Sequence, residues 1–236
     1  MLAVWKREVQ SYFLSPLAYI FIGAFMVVAG IMFTANNVMA MSVSFSNTLS
    51  SMTFVFMLLV PLLTMKLLSE DRKSKTDQLL LTSPVSIFSI VLGKYLAAIT
   101  VFVATLILSL VFPIILSIFG MPALGEIVAG YLGFFLMGSA LIAVGVFISS
   151  ITESQVIAAL VTFFVLLLMW IGNVALSLIS NRILVSVLEW FLVYSRINSF
   201  VLGLLSIPHI VYFISFSFVF LFLAVRSTER RRWSEG

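Results

Sequence analysis

The densest run of titratable side chains is Glu70, Asp71, Arg72, Lys73, Lys75 and Asp77, followed by Gln78-Leu79-Leu80-Leu81-Thr82-Ser83-Pro84. A charged half and a leucine half, ended by proline, suit a short helix that docks its apolar side and keeps its charged side wet. Its chemistry would be recognition of a soluble partner; a strongly charged loop at a membrane surface is the plainer alternative. Bond-making chemistry has no comparable seat. His209 is the single histidine and cysteine is absent, so no zinc group can be assembled from these types. HExxH, GxSxG and a pair of intramembrane aspartates are missing, and Asp71 and Asp77 both fall in the charged loop. Gly93-Lys94 is followed by Tyr95 and preceded by apolar sequence, so it cannot cradle a phosphate. Any nucleotide chemistry belongs to another chain. The methionines Met26, Met32, Met39, Met41, Met52, Met57 and Met65 have no Cys or His company and read as flexible packing groups rather than a soft-metal site.

The elements that must position this loop are membrane helices. Of 236 residues, 62% are hydrophobic and 9% charged, far below the roughly one quarter charged in soluble domains. Val9 to Met65, Tyr95 to Gly125, Ile127 to Thr152 and Ser154 to Asn181 hold no Asp, Glu, Lys or Arg. About 20 apolar residues suffice to cross the hydrocarbon, and the first of these runs has room for two crossings. The expected fold is an all-α polytopic membrane protein with crossings at about 17–35, 52–68, 88–112, 127–148, 155–175 and 207–225. Residues 1–15 form an amphipathic segment, with Leu2, Trp5, Val9, Tyr12 and Phe13 on one side and Lys6, Arg7, Glu8, Gln10 and Ser11 on the other. Such a segment lies in the interface before Ser15-Pro16 turns the chain inward; a simple start to the first crossing is the alternative. No small-residue cleavage site follows it at signal-peptide distance.

Several local features set boundaries. Asn36-Asn37 marks the exit of the first crossing, and Lys66 near the end of the second can snorkel to the headgroups. Pro113 bends or ends the third. Gly130, Gly133, Gly138 and Gly145 give the fourth crossing small surfaces for close helix approach, without saying which helix approaches. Ser150 and Glu153 have capping-box spacing ahead of the fifth. In 176–206, Arg182, Glu189 and Arg196 recur every seven residues. One spanning helix would place Glu189 near mid-membrane at about 2.5–3.5 kcal/mol, so two short outer or re-entrant helices are favoured. Residues 226–236 form a basic tail. Six crossings put both termini on one side, with Lys6, Arg7, Lys66, Arg72, Lys73, Lys75, Lys94, Arg226, Arg230, Arg231 and Arg232, against Arg182 and Arg196 on the other. The positive-inside rule places that side in the cytoplasm. The net charge of +4 thus reflects membrane orientation and gives no sign of nucleic acid.

With these residues in place, the sequence resembles the ABC-2 type transporter permeases, closest to the branch of the gliding-motility permease and the copper-related permease of nitrous oxide reductase maturation. The likeness rests on Ser15-Pro16-Leu17-Ala18-Tyr19, Gln78 through Ser86, Leu92-Gly93-Lys94-Tyr95, Gly130-Tyr131-Leu132-Gly133 and Gly145 through Gln155. These cover most of residues 1–165 in order, while 176–207 match only in general character. The resemblance implies a six-crossing transmembrane domain over 16–225 and an assembly of two permeases, the second a copy or paralogue, with two separate ABC ATPase subunits. It implies an elbow helix carrying Trp5, Arg7, Val9 and Phe13, and a coupling loop 69–86 in which Glu70, Asp71, Arg72, Lys73, Leu80, Leu81 and Pro84 face the ATPase. It further implies a second cytosolic turn with Ser150, Thr152, Glu153 and Gln155. It assigns no catalytic residue, cofactor or metal to this chain, since ATP and magnesium bind on the ATPase, and it implies a bacterial or archaeal cytoplasmic membrane. The expected function is that of a permease subunit, exporting cargo, with membrane lipid around it. A non-transporting scaffold or sensor anchor that binds a partner through 69–86 is the competing class.

Overall fold

The computed structural model describes residues 1–73, 86–175 and 192–234, the side chains of 231–234 excepted. Among them every regular element is a helix. In order come α1 (Leu2–Leu14), α2 (Pro16–Phe33), a π-helical continuation (Thr34–Met39), α3 (Ser46–Thr64), the short α4 (Ser69–Lys73) and α5 (Ile87–Ser109). Then follow α6 (Val111–Phe119), α7 (Leu124–Ile151), α8 (Gln155–Ala175), a 3-10 turn (Val193–Arg196), α9 (Ile197–Val201) and α10 (Ile207–Ser234). Six of these segments are long and apolar enough to cross a membrane: Pro16–Met39, Ser46–Lys73, Ile87–Phe119, Leu124–Ile151, Gln155–Asn173 and Ile207–Arg230. They lie over the six expected crossings.

The ends differ from expectation for local reasons. Asn37 does not mark an exit: it is buried, the helix loosens into π geometry around it, and its amide holds the following loop. The second crossing, expected from about Met52 or a few residues before it, starts at Ser46, where Thr48 and Ser51 find partners in Asn37 and Asn36. The third breaks at Leu110, ahead of Pro113. Proline lacks the N–H that would bond the carbonyl four residues back. That carbonyl, Ser109 O, accepts the Tyr131 hydroxyl at 3.0 Å instead. The cap of α8 is Ser154 rather than Ser150, which lies inside α7; Ser154 O accepts Ala158 N and its Oγ accepts Ile157 N. The basic tail continues α10 to Ser234.

The centre of the bundle is α7. Every residue from Met137 to Val146 is buried, the mark of a helix surrounded on all sides. α10, α3, α9, α8 and α5 all pack against it. With lipid as the solvent, apolar surface alone does not drive helices together, so shape must. The four glycines of α7 supply it. A Cβ at Gly130 would meet Leu49 of α3, at Gly133 Phe200 of α9, at Gly138 Phe102 of α5, and at Gly145 Thr64 of α3, each at 2.3–2.4 Å. Around Gly138 the rings of Phe56, Phe102 and Phe134 interlock with centroids 4.3–5.7 Å apart. Phe200 reaches Gly133, nine residues and about 13.5 Å along α7 from its start. The described part of the outer segment therefore dips alongside the bundle. Its earlier part, with Arg182 and Glu189, lies outside the described residues.

Candidate functional site

The site grows from the way α3 ends. Pro61 removes one internal bond, the helix stops at Thr64, and the chain turns through 65–68 before α4. Chain ends of this kind leave backbone groups that must be paired from elsewhere. Two other elements do so. The Tyr12 hydroxyl of α1 donates to Leu63 O, and the buried Ser149 hydroxyl at the end of α7 accepts from Leu68 N and Ser69 N, both at 3.1 Å. Ser69 Oγ adds a local bond to Met65 O. Tyr12 is buried, and desolvation with the nearby Glu8 and Glu70 carboxylates holds its phenol above the usual range, so it remains a neutral donor.

Beside this turn lies a three-charge node. Lys94, 2% exposed, places its ammonium 2.7 Å from Asp71 Oδ2 of α4 and 3.0 Å from Glu8 Oε1 of α1. Two carboxylates thus meet one buried ammonium. Removing an ammonium from water costs several kcal/mol, and only close, well-made pairs offset it. Lys94 thus fixes α1 and α4 to α5 and, through itself, to each other. Gly93 makes the approach possible: a Cβ there would stand 3.1 Å from Val4 and 3.3 Å from Trp5 N. Trp5 Nε1 donates to Thr100 Oγ1 at 3.0 Å and completes the contact of α1 along α5.

The sequence-derived residues are distributed unevenly over this site. Asp71 is in the node, and Arg72 beside it is buried. Glu70 makes an ion pair of 3.5 Å with Lys66, and Lys73 is exposed at the end of α4. Leu80, Leu81 and Pro84 lie outside the described residues. Of the α1 set, Trp5 bonds α5, Val9 and Phe13 pack against the core, and Arg7 is exposed. Ser150 is buried; its hydroxyl donates to Phe147 O and its backbone carbonyl accepts from Ser227 Oγ of α10 at 3.3 Å. Thr152, exposed Glu153 and Gln155 form the turn into α8, and α8 packs against α4. Sequence reasoning gave Glu8, Tyr12 and Lys94 no role at this site and set Ser149 in the second cytosolic turn rather than against α4. The wheel put Glu8 on the wet side with Lys6 and Arg7, whereas it turns toward α5. Lys94 did carry a signal, since a lysine seven residues inside an apolar helix needs a partner.

At the opposite end of the bundle the polar groups are neutral or lightly charged. Asn37 Nδ2 donates to Ser42 O and Ser44 O at 2.9 Å each, and Thr48 Oγ1 donates to Asn37 Oδ1. Ser46 Oγ reaches Glu126 at 3.2 Å. His209 shares a hydrogen bond with Ser199. Among the described residues no group of three or more His, Cys, Asp or Glu could hold a metal. The arrangement around Lys94 and Ser149 ties α1, α4, α5 and the end of α7 together. The profile of the family described as ABC-2 family transporter protein matches residues 42–227. None of the curated proteins compared matches the chain.

Proposed function

The chain belongs to the ABC-2 family of transporter proteins, and from that premise we propose that it is the permease subunit of an ATP-driven exporter whose ATP and magnesium bind on separate ABC ATPase subunits. A second permease, a copy or a paralogue, completes the pathway within the lipid of a bacterial or archaeal cytoplasmic membrane. Both termini face the cytoplasm, on the strength of the one-sided Lys and Arg distribution. The finer kinship with the gliding-motility and nitrous oxide reductase maturation branch rests on the segments within residues 1–165 and belongs to the same proposal.

The burial of Lys94 between Glu8 and Asp71 carries the mechanism. An ATPase that engages α4 at Glu70, Asp71, Arg72 and Lys73, and the neighbouring Leu80, Leu81 and Pro84, displaces a helix that cannot move alone. Lys94 draws α1 with it, and the Ser149 hydroxyl draws the end of α7, the helix on which the bundle is packed. Closure of the ATPase pair is thereby converted into a shift between two packings of the crossings. The test is co-purification with the cognate ATPase and stimulation of its hydrolysis in membranes. Charge reversal at Glu70 and Asp71, or at Arg72 and Lys73, should abolish vanadate-sensitive stimulation; unchanged assembly and stimulation in both variants would contradict the proposal.

A further inference from the structure

Among the described residues, the cation Arg196 ahead of the last crossing has no ion-pair partner. Arg196 ends the 3-10 turn and lays its guanidinium carbon 3.9 Å from the ring centroid of Tyr212 on α10. Its Nε is buried and has no hydrogen-bond partner, and no carboxylate pairs with Arg196 among the described residues. The neighbouring His209 spends its Nδ1 on Ser199 Oγ at 2.8 Å. Tyr212 is five residues into α10, about 7.5 Å below its start. Above it runs a rim of Leu202, Leu204, Leu205 and Ile207, each at least 60% exposed.

Four large aliphatic side chains exposed together at the end of a crossing belong in the boundary between headgroups and acyl chains. The guanidinium then lies at or beneath that boundary, where an uncompensated charge is costly. Stacking on Tyr212 eases the cost and leaves the net charge in place. The counter-ion available at that depth is a lipid phosphodiester, which suits the planar donor fork of arginine. We propose that Arg196, backed by Tyr212 and rimmed by Leu202, Leu204, Leu205 and Ile207, is a headgroup site for an anionic phospholipid in the leaflet opposite the chain ends. The site offers a cation, so net-anionic phosphatidylglycerol is preferred to zwitterionic phosphatidylethanolamine. Free phosphate shares the chemistry and gains nothing from the rim. The site is independent of the transport reading.

The test is native mass spectrometry of the purified full chain in detergent, with equal added phosphatidylglycerol and phosphatidylethanolamine. Wild type should retain phosphatidylglycerol about fivefold over phosphatidylethanolamine, as one basic residue at a membrane surface provides. Arg196→Gln should erase the preference, Arg196→Lys should keep part of it, and Arg226→Gln at the other end of α10 should leave it intact. Leu204→Ser with Leu205→Ser should lower retention of both lipids. Equal retention of the two lipids by wild type overturns the site even where Arg196→Gln does not fold. An unchanged preference in Arg196→Gln overturns it too, as does displacement of the lipid by millimolar inorganic phosphate.

Discussion

The two ends of the bundle are tied in different ways. At the end that carries the termini, three separate elements meet through charge: α1, α4 and α5 at Glu8, Asp71 and Lys94, with α7 added through Ser149. At the other end, Asn37 ties a single hairpin, joining the exit of α2 to the loop and first turn of α3 through neutral hydrogen bonds. The ion pair and the Asn37 knot differ in sequence separation, although at the second end Ser46 also reaches Glu126 across 80 positions. Lys94 reaches back to Glu8 across 86 positions, while Asn37 reaches partners 5, 7 and 11 positions away. A local knot shapes one turn. A buried charge that spans elements makes them move as one body, because pulling any partner away strands an ion in a poor solvent.

Breaking each tie in turn measures the difference. Lys94→Met should have the largest effect: it removes the ammonium that Glu8 and Asp71 share and should cost about 3–5 kcal/mol, as removal of one partner from a buried pair does. Thermal unfolding in detergent reads the loss, and the same variant should lose stimulation of the ATPase. Asn37→Ala removes three hydrogen bonds and should cost about 3 kcal/mol at about 1 kcal/mol each, yet leave stimulation at the wild-type level per folded molecule. Ser149→Ala leaves the Leu68 and Ser69 N–H groups unpaired, for about 2 kcal/mol; it should reduce stimulation, since it frees α4 from α7. Tyr12→Phe loses one bond to Leu63 O, about 1 kcal/mol, and should only trim stimulation. A ranking in which Asn37→Ala uncouples the ATPase more than Ser149→Ala would erase the distinction between the ends.

The crossings were legible because charge is excluded from them, and burial in lipid demands long uncharged runs whatever the helices touch. Their ends were less so. Asn36-Asn37 look like a helix exit in sequence, but the second asparagine is buried by a loop folding back on it. The small face of α7 was visible in its glycines, whereas Leu49, Phe200, Phe102 and Thr64 as the residues filling it were not, since shape complementarity is a property of pairs. The loop around Glu70–Lys73 was found by its charge density. The node was not, because a helical wheel sorts residues by type and cannot foresee that Glu8 faces a lysine on a helix 86 positions later.

The account stands on α1 and α4 moving together through Lys94, and the distance between them under turnover tests that directly. The chain has no cysteine, so spin labels at introduced Gln10→Cys and Lys73→Cys, both exposed positions, report without background. With the ATPase bound and trapped by ATP and vanadate, the distance between the two labels should stay as it was in the resting complex. Each label should shift relative to a third at Glu153→Cys. In Lys94→Met the α1 to α4 distance should broaden and change on trapping. A wild-type complex in which that distance changes on trapping while the ATPase remains coupled would contradict the account.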